Sequence, residues 1–267
     1  MAISTGDGYI ASTKQIIPYV KTTTLSGLTA GARHTLQNAI GNPAIATTMV
    51  ASTTPGALYT AGSNGFPAIN FSTGSGYLTR VYFYGSVLGR FDLWDKLYGV
   101  SIPVNALATT TITSPPSITG RLINGTDYTS VRIFVEITTT MSATATTIQV
   151  TYTDQGGTSR AATATASLSG FVANRWVEIP LVAGSTGVQK IESVTVGGAT
   201  NAAGALNVIL ARQLWGSRVN IALGADLHGL DKTGMPQIFP TSALVVTTSP
   251  DSTTSGTPEL FLEIANL

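Results

Sequence analysis

Ser130-Val-Arg-Ile-Phe-Val-Glu-Ile-Thr138 alternates without a break, with Val131, Ile133, Val135 and Ile137 on one side and Arg132, Phe134, Glu136 and Thr138 on the other. Successive side chains of a strand point to opposite faces, so a period of two with one apolar face reads as a strand with one buried side. The next run repeats the pattern, with Ile148, Val150 and Tyr152 set against Gln149, Thr151 and Thr153. Asp154-Gln155-Gly156-Gly157 then supplies the glycines a hairpin loop needs, and the chain returns through Ser159 to Leu168. Further out lie the runs Trp176 to Leu181, Lys190 to Val196, Leu206 to Arg212, Ala243 to Thr248 and Leu260 to Ile264. In the last, Leu260, Leu262 and Ile264 face away from Glu259, Phe261 and Glu263. Short strands punctuated by Gly, Pro and Asn predict an all-β fold, an antiparallel β-sandwich of jelly-roll type with an extended N-terminal arm.

The arm is read from residues 1–75, which are rich in Gly, Ser, Thr and Ala and carry only isolated apolar anchors such as Ile16, Ile17, Tyr19, Leu25 and Leu28. Residues 76–267 make up the expected sandwich domain. Within the arm, Ala32, Leu36 and Ile40 have helical spacing, stopped by Gly41 and Pro43. A second short helix is predicted over Arg90 to Tyr98, with Phe91, Trp94 and Tyr98 on one face and Gly99 ending it.

Composition narrows the function classes. Charged residues make up 10% of the 267, against roughly 25% in an ordinary soluble domain. With 43% hydrophobic residues and a mean hydropathy of +0.26, the chain is not a disordered one. Thr and Ser carry the polar share, in runs such as Thr109-Thr110-Thr111 and Thr138-Thr139-Thr140. So charge-poor a surface suits a subunit covered by neighbours better than a free monomer. The 14 Lys and Arg are scattered for a net charge of +1, whereas a DNA binder neutralises about 6–10 phosphates with clustered cations. Nucleic acid is not an expected partner. No run approaches the roughly 20 apolar residues of a membrane span, so no membrane partner is expected. The start, MAISTGDGYI, has no basic and apolar leader, and there is no cysteine. Both fit folding in a reducing cytoplasm.

The chemistry-bearing residues are few. His228 lies between Asp226 and Asp231, an arrangement open to a metal or general-base reading, or to a polar loop with Asp-capped turns. Asp92 and Asp95 are paired carboxylates if their segment is helical, with Leu93, Trp94 and Leu97 interleaved. No Gly-x-Ser-x-Gly elbow and no phosphate loop is present. No enzymatic activity, no cofactor and no catalytic, cofactor-binding or metal residue is expected. Trp176 falls opposite Val177, Ile179 and Leu181; with those three in the core, it points outward as a subunit-interface candidate.

SVRIFVEITTTMSATATTIQVTYTDQGGTSRAATATASL (130–168) resembles the corresponding hairpin in structural proteins of tailed-phage virions. GRFDLWDKLYGV (89–100), LNVILARQLW (206–215) and TGMPQIFPTSALVV (233–246) resemble the same group in the same order, so the likeness covers 89 to 246. It implies a virion protein, assembled in the host bacterial cytoplasm, with capsid cement or decoration as its role. Its implied partners are the major capsid protein and further copies of itself in a homo-oligomer such as a trimer. Ile16, Ile17 and Tyr19 of the arm are then the candidates for capsid contact. The family has no active-site residues to carry over. A tail, neck or head-fibre component and a carbohydrate-binding β-sandwich stay open as alternatives.

Overall fold

Alternation of apolar and polar side chains accounts for several of the strands. The computed structural model describes residues 6–46, 51–71 and 74–266, and they form an all-β protein of antiparallel sheets. After the short helix α1 (Gly6–Ala11) come β1 (Thr13–Lys21), β2 (His34–Thr35), β3 (Gly41–Asn42), β4 (Ala57–Leu58), β5 (Gly76–Gly85) and β6 (Gly89–Ile102). The middle of the chain gives β7 (Thr109–Thr111), β8 (Val131–Thr139), β9 (Thr146–Asp154), β10 (Ser159–Ala161), β11 (Trp176–Ile179) and β12 (Val188–Gly198). The last third holds β13 (Ala205–Val219), β14 (Gly224–His228), the one-turn helix α2 (Leu230–Thr233), β15 (Gln237–Ile238), β16 (Leu244–Pro250) and β17 (Glu259–Asn266).

The chain divides into two compact units, one formed by residues 1–47, 60–95 and 214–267, the other by 48–59 and 96–213. In the first unit one sheet runs β14-β5-β17-β1-β3, with β15 also on β5, while β16 pairs with β2 and with Gly89–Asp95 of β6. Its core joins Ile17, Tyr19, Val81, Phe83, Leu260 and Leu262 with Phe91, Leu93, Leu244 and Val246. In the second unit one sheet runs β10-β9-β12-β7, and the order β11-β8-β13-β6 makes up another. Val131, Ile133, Val135 and Ile137 of β8 enter that unit's core with Ile148, Val150 and Tyr152 of β9, as their alternation predicts.

The expected arm is corrected. Thr13–Lys21 is a strand between β17 and β3, in register from Thr13 opposite Asn266 to Val20 opposite Glu259. Ile17 and Tyr19 are core residues there. The boundary expected at residue 75 is replaced by the two discontinuous units, because β1 finds its partner at the far end of the chain. Neither expected helix forms. Arg90 to Tyr98 lies within β6, a central strand whose residues from Phe91 to Val100 are all buried. A strand covered on both faces has no period of two, so its apolar spacing was open to a helical reading. Around Leu36 the backbone bonds to β16 instead, with the Leu36 N–H donating to the Val246 carbonyl at 3.0 Å.

The β9–β10 hairpin turns at the predicted glycines, with Ser159 opposite Thr153 and Gly157 at φ +84°. One carboxylate organises the turn: Asp154 Oδ1 accepts the Gly156 and Thr158 N–H groups, each at 2.9 Å, and Oδ2 accepts Arg160 Nε at 3.0 Å. Beside it Glu192 accepts the Ser159 and Thr153 hydroxyls, each at 2.6 Å. The Thr158 N–H and Arg160 hold Asp154 below its ordinary 3.8, and the Ser159 and Thr153 hydroxyls hold Glu192 below 4.5. A carboxyl depressed by folding stabilises the fold above its unfolded pKa and loses that contribution as pH falls through the folded value. The melting temperature should therefore drop as pH falls below about 4. The double replacement Asp154→Asn with Glu192→Gln should flatten that acid limb in calorimetry; an unchanged limb would place the acid-sensitive groups elsewhere.

Candidate functional site

The first unit's β14-β5-β17-β1 sheet has two unlike faces. Inward, Val81, Phe83, Leu260, Leu262, Ile17 and Tyr19 are buried in its core. Outward, the pairings align Leu227, Tyr82, Phe261 and Pro18 in one row across four strands. Leu227, Tyr82 and Phe261 are 51%, 38% and 37% exposed. The Tyr82 and Phe261 rings lie 5.9 Å apart and tilted. The neighbouring row is Ala225, Tyr84, Glu259 and Val20, and on the other side come Arg80, Glu263 and Ile16. Glu263 accepts the Tyr9 hydroxyl at 2.7 Å and the Thr79 hydroxyl at 2.8 Å, with Arg80 at 3.8 Å. Its charge is met by these neighbours from α1 and β5, and the aromatic and aliphatic row beside it faces solvent.

The three arm anchors thus part company. Ile16 is 63% exposed on this outer face, while Ile17 and Tyr19 are sealed in the core. The last two are corrected as capsid-contact candidates, because alternation along β1 turns them inward. Ile16, Pro18 and Val20 make the outer side of β1 apolar and Lys21 puts a charge on the inner side, so no alternation marks the strand in sequence. Lys21 is itself buried, its Nζ donating to the Pro43 carbonyl at 2.7 Å.

Trp176 is corrected as well. It is buried, its ring 5.2 Å from Phe134 and its Nε1–H donating to Glu136 Oε1 at 3.0 Å. Phe134, Glu136 and Asn207 on the same face are buried too, so facing away from one core did not mean facing solvent. Glu136 is the centre of a dry polar cluster in the second unit. Lys96 Nζ donates to its Oε1 at 2.6 Å, and Asn207 Nδ2 donates to its Oε2 at 2.8 Å. The Ala51 N–H donates to Asn207 Oδ1 at 3.0 Å. The Lys96 ammonium lies 4.4 Å over the Tyr59 ring, and Arg121 donates to the Tyr59 and Lys96 carbonyls. Tyr59 in turn packs on β6 where Gly99 leaves room, since a Cβ at Gly99 would run into the Tyr59 hydroxyl and ring. No motif spacing signals this cluster, because its members come from strands far apart in sequence.

The His228 group is partly assembled. Trp215 Nε1–H donates to His228 Nδ1 at 3.0 Å, which leaves Nε2 facing Asp226 Oδ2 and the Ser217 hydroxyl, each at 3.5 Å. The imidazole stands edge-on to Phe83 at 5.0 Å, and Asp231 sits on α2. Among the described residues no three His, Asp or Glu side chains are grouped to hold a metal. Asp92 and Asp95 lie buried on β6 in structural roles: Asp92 pairs with Arg90 at 2.7 Å, and Asp95 accepts the Ser242 hydroxyl at 2.8 Å and the Ala243 N–H at 2.9 Å. No helix among the described residues is long and apolar enough to cross a membrane.

No protein-family model and no curated protein matches the chain. Among solved structures, the infectious bursal disease virus VP2 subviral particle aligns over 96% of this chain and 81% of that one, at 11% identity and a TM-score of 0.21. The structure of the infectious bursal disease virus Gt strain aligns over 94% and 81%, at 13% identity and a TM-score of 0.18. Likeness at these scores carries no argument about this chain.

Proposed function

We propose that this chain is a non-enzymatic structural protein of a tailed-phage virion, a cement or decoration protein that binds the assembled head shell. The outward row of Leu227, Tyr82, Phe261 and Pro18 carries the reading, because a contiguous apolar stripe on a solvent-facing sheet marks a surface built for a partner. The charge-poor composition and the four segments similar to tailed-phage structural proteins support it. The partners are the major capsid protein and other copies of this chain. Its mechanism is physical: a protein that binds the shell and not the separated subunits adds its binding free energy to shell stability. Contacts to two subunits at once raise the effective affinity without new chemistry.

Co-sedimentation with head shells stripped of accessory proteins tests this. Wild-type protein should pellet with shells and raise their melting temperature. The double replacement Tyr82→Ser with Phe261→Ser should bind at least about tenfold more weakly, since an aromatic anchor desolvated at an interface is worth about 2 kcal/mol or more. Its own melting curve should stay near wild type, both residues being partly exposed. Equal binding by the two proteins would move the contact off this face, and failure of wild type to bind shells would overturn the cement role.

A further inference from the structure

Three strands of the second unit bring an amine, a carboxylate and a carboxamide together in a buried place. Lys96 of β6 and Asn207 of β13 each put a nitrogen on the same Glu136 carboxylate, one on Oε1 and the other on Oε2. Glu136 is the cross-strand partner of both Asn207 and Trp176, and β13 is the neighbour of β6 in the sheet. Lys96, Glu136 and Asn207 are each no more than 1% exposed. A lysine–glutamate ion pair needs only the amine and the acid. The third member, a primary amide whose nitrogen is held on the acid and whose oxygen is held by a backbone N–H, is what aminolysis requires.

We propose that Lys96 and Asn207 are joined by an intramolecular isopeptide bond formed on Glu136. The ammonium first passes a proton to Glu136 Oε1, which gives a neutral amine and a neutral acid in a site that disfavours separated charge. The amine lone pair attacks Asn207 Cγ, and the C=O electrons move to Oδ1, where the Ala51 N–H meets the developing oxyanion. Glu136 hands this proton to the departing Nδ2 and takes one from the attacking Nζ. The intermediate collapses, the Cγ–Nδ2 bond breaks and ammonia leaves. The balance is ammonium plus primary amide to secondary amide plus ammonium: Glu136 gives its last proton to the departing ammonia and returns to the carboxylate, with no oxidant or metal required. Burial lowers the Lys96 pKa, opposed by the Glu136 charge and hydrogen bond, and so favours the nucleophilic form. Holding the reactants on one carboxylate replaces a bimolecular encounter. The product ties β6 to β13 covalently in a chain that has no cysteine for a disulfide.

The mass of the full-length protein under denaturing conditions decides the matter. Wild type should be lighter than its encoded sequence, initiator methionine accounted for, by the mass of one ammonia. Trypsin should fail to cut after Lys96 and should release 91–121 joined to 191–212. Asn207→Asp should lose a water instead of an ammonia, and Glu136→Ala should keep its encoded mass. If Glu136→Ala does not fold, the wild-type and Asn207→Asp masses still give the answer. A wild-type protein of full encoded mass would overturn the proposal and leave a buried ion pair. So would an ammonia loss mapped to succinimide at Asn64-Gly65 or Asn124-Gly125. A link that persists in folded Glu136→Ala would overturn the role given to the carboxylate.

Discussion

Removing the chain up to Lys21 is expected to leave a protein whose first unit no longer melts cooperatively. β1 is hydrogen-bonded along its length to β17 and at its end to β3, so its loss opens the sheet and strips two side chains from the core. Ile17→Ala should cost about 2–5 kcal/mol and Tyr19→Ala about 3–5 kcal/mol. Together these rival the entire 5–15 kcal/mol that holds a typical domain folded. Ile16→Ser is the control: its side chain lies on the outer face, and a surface replacement should stay within about 0.5 kcal/mol. Urea denaturation followed by circular dichroism would read all three. A truncated protein that melts like the full chain would mean β1 is dispensable, as an arm would be.

Glu136→Ala is the second large expected effect. The replacement leaves the Lys96 ammonium buried without its counter-charge and deprives Trp176 Nε1 and Asn207 Nδ2 of their acceptor. A buried charge left without its partner costs about 3–5 kcal/mol, and the variant also forgoes the proposed link to Asn207. Glu136→Gln should fall between the two, because it keeps an acceptor oxygen but not the charge. Asp231→Ala, an exposed carboxylate removed, should change stability by no more than about 0.5 kcal/mol. If Glu136→Ala proved as mild as Asp231→Ala in the same urea titration, the site would have to be wet and the pair weak.

Alternation by itself determined that Val131 to Ile137 and Ile148 to Tyr152 are strands with one face in a core, and the glycines after Asp154 fixed where the hairpin turns. These are local properties: side-chain direction in a strand has period two, and positive φ selects glycine. Three things were decided only by tertiary structure. Thr13–Lys21 became a strand because β17, the last in the chain, offers it a hydrogen-bonding edge, and no local pattern in a stretch without alternation reports a partner so distant. Arg90 to Tyr98 became β6 because a strand buried on both sides carries no alternation to read. The grouping of Lys96, Glu136 and Asn207 exists only where β6, β8 and β13 lie side by side. In sequence they are polar residues of three separate strands, and which of them share a buried space depends on strand order, which hydrophobic periodicity does not encode.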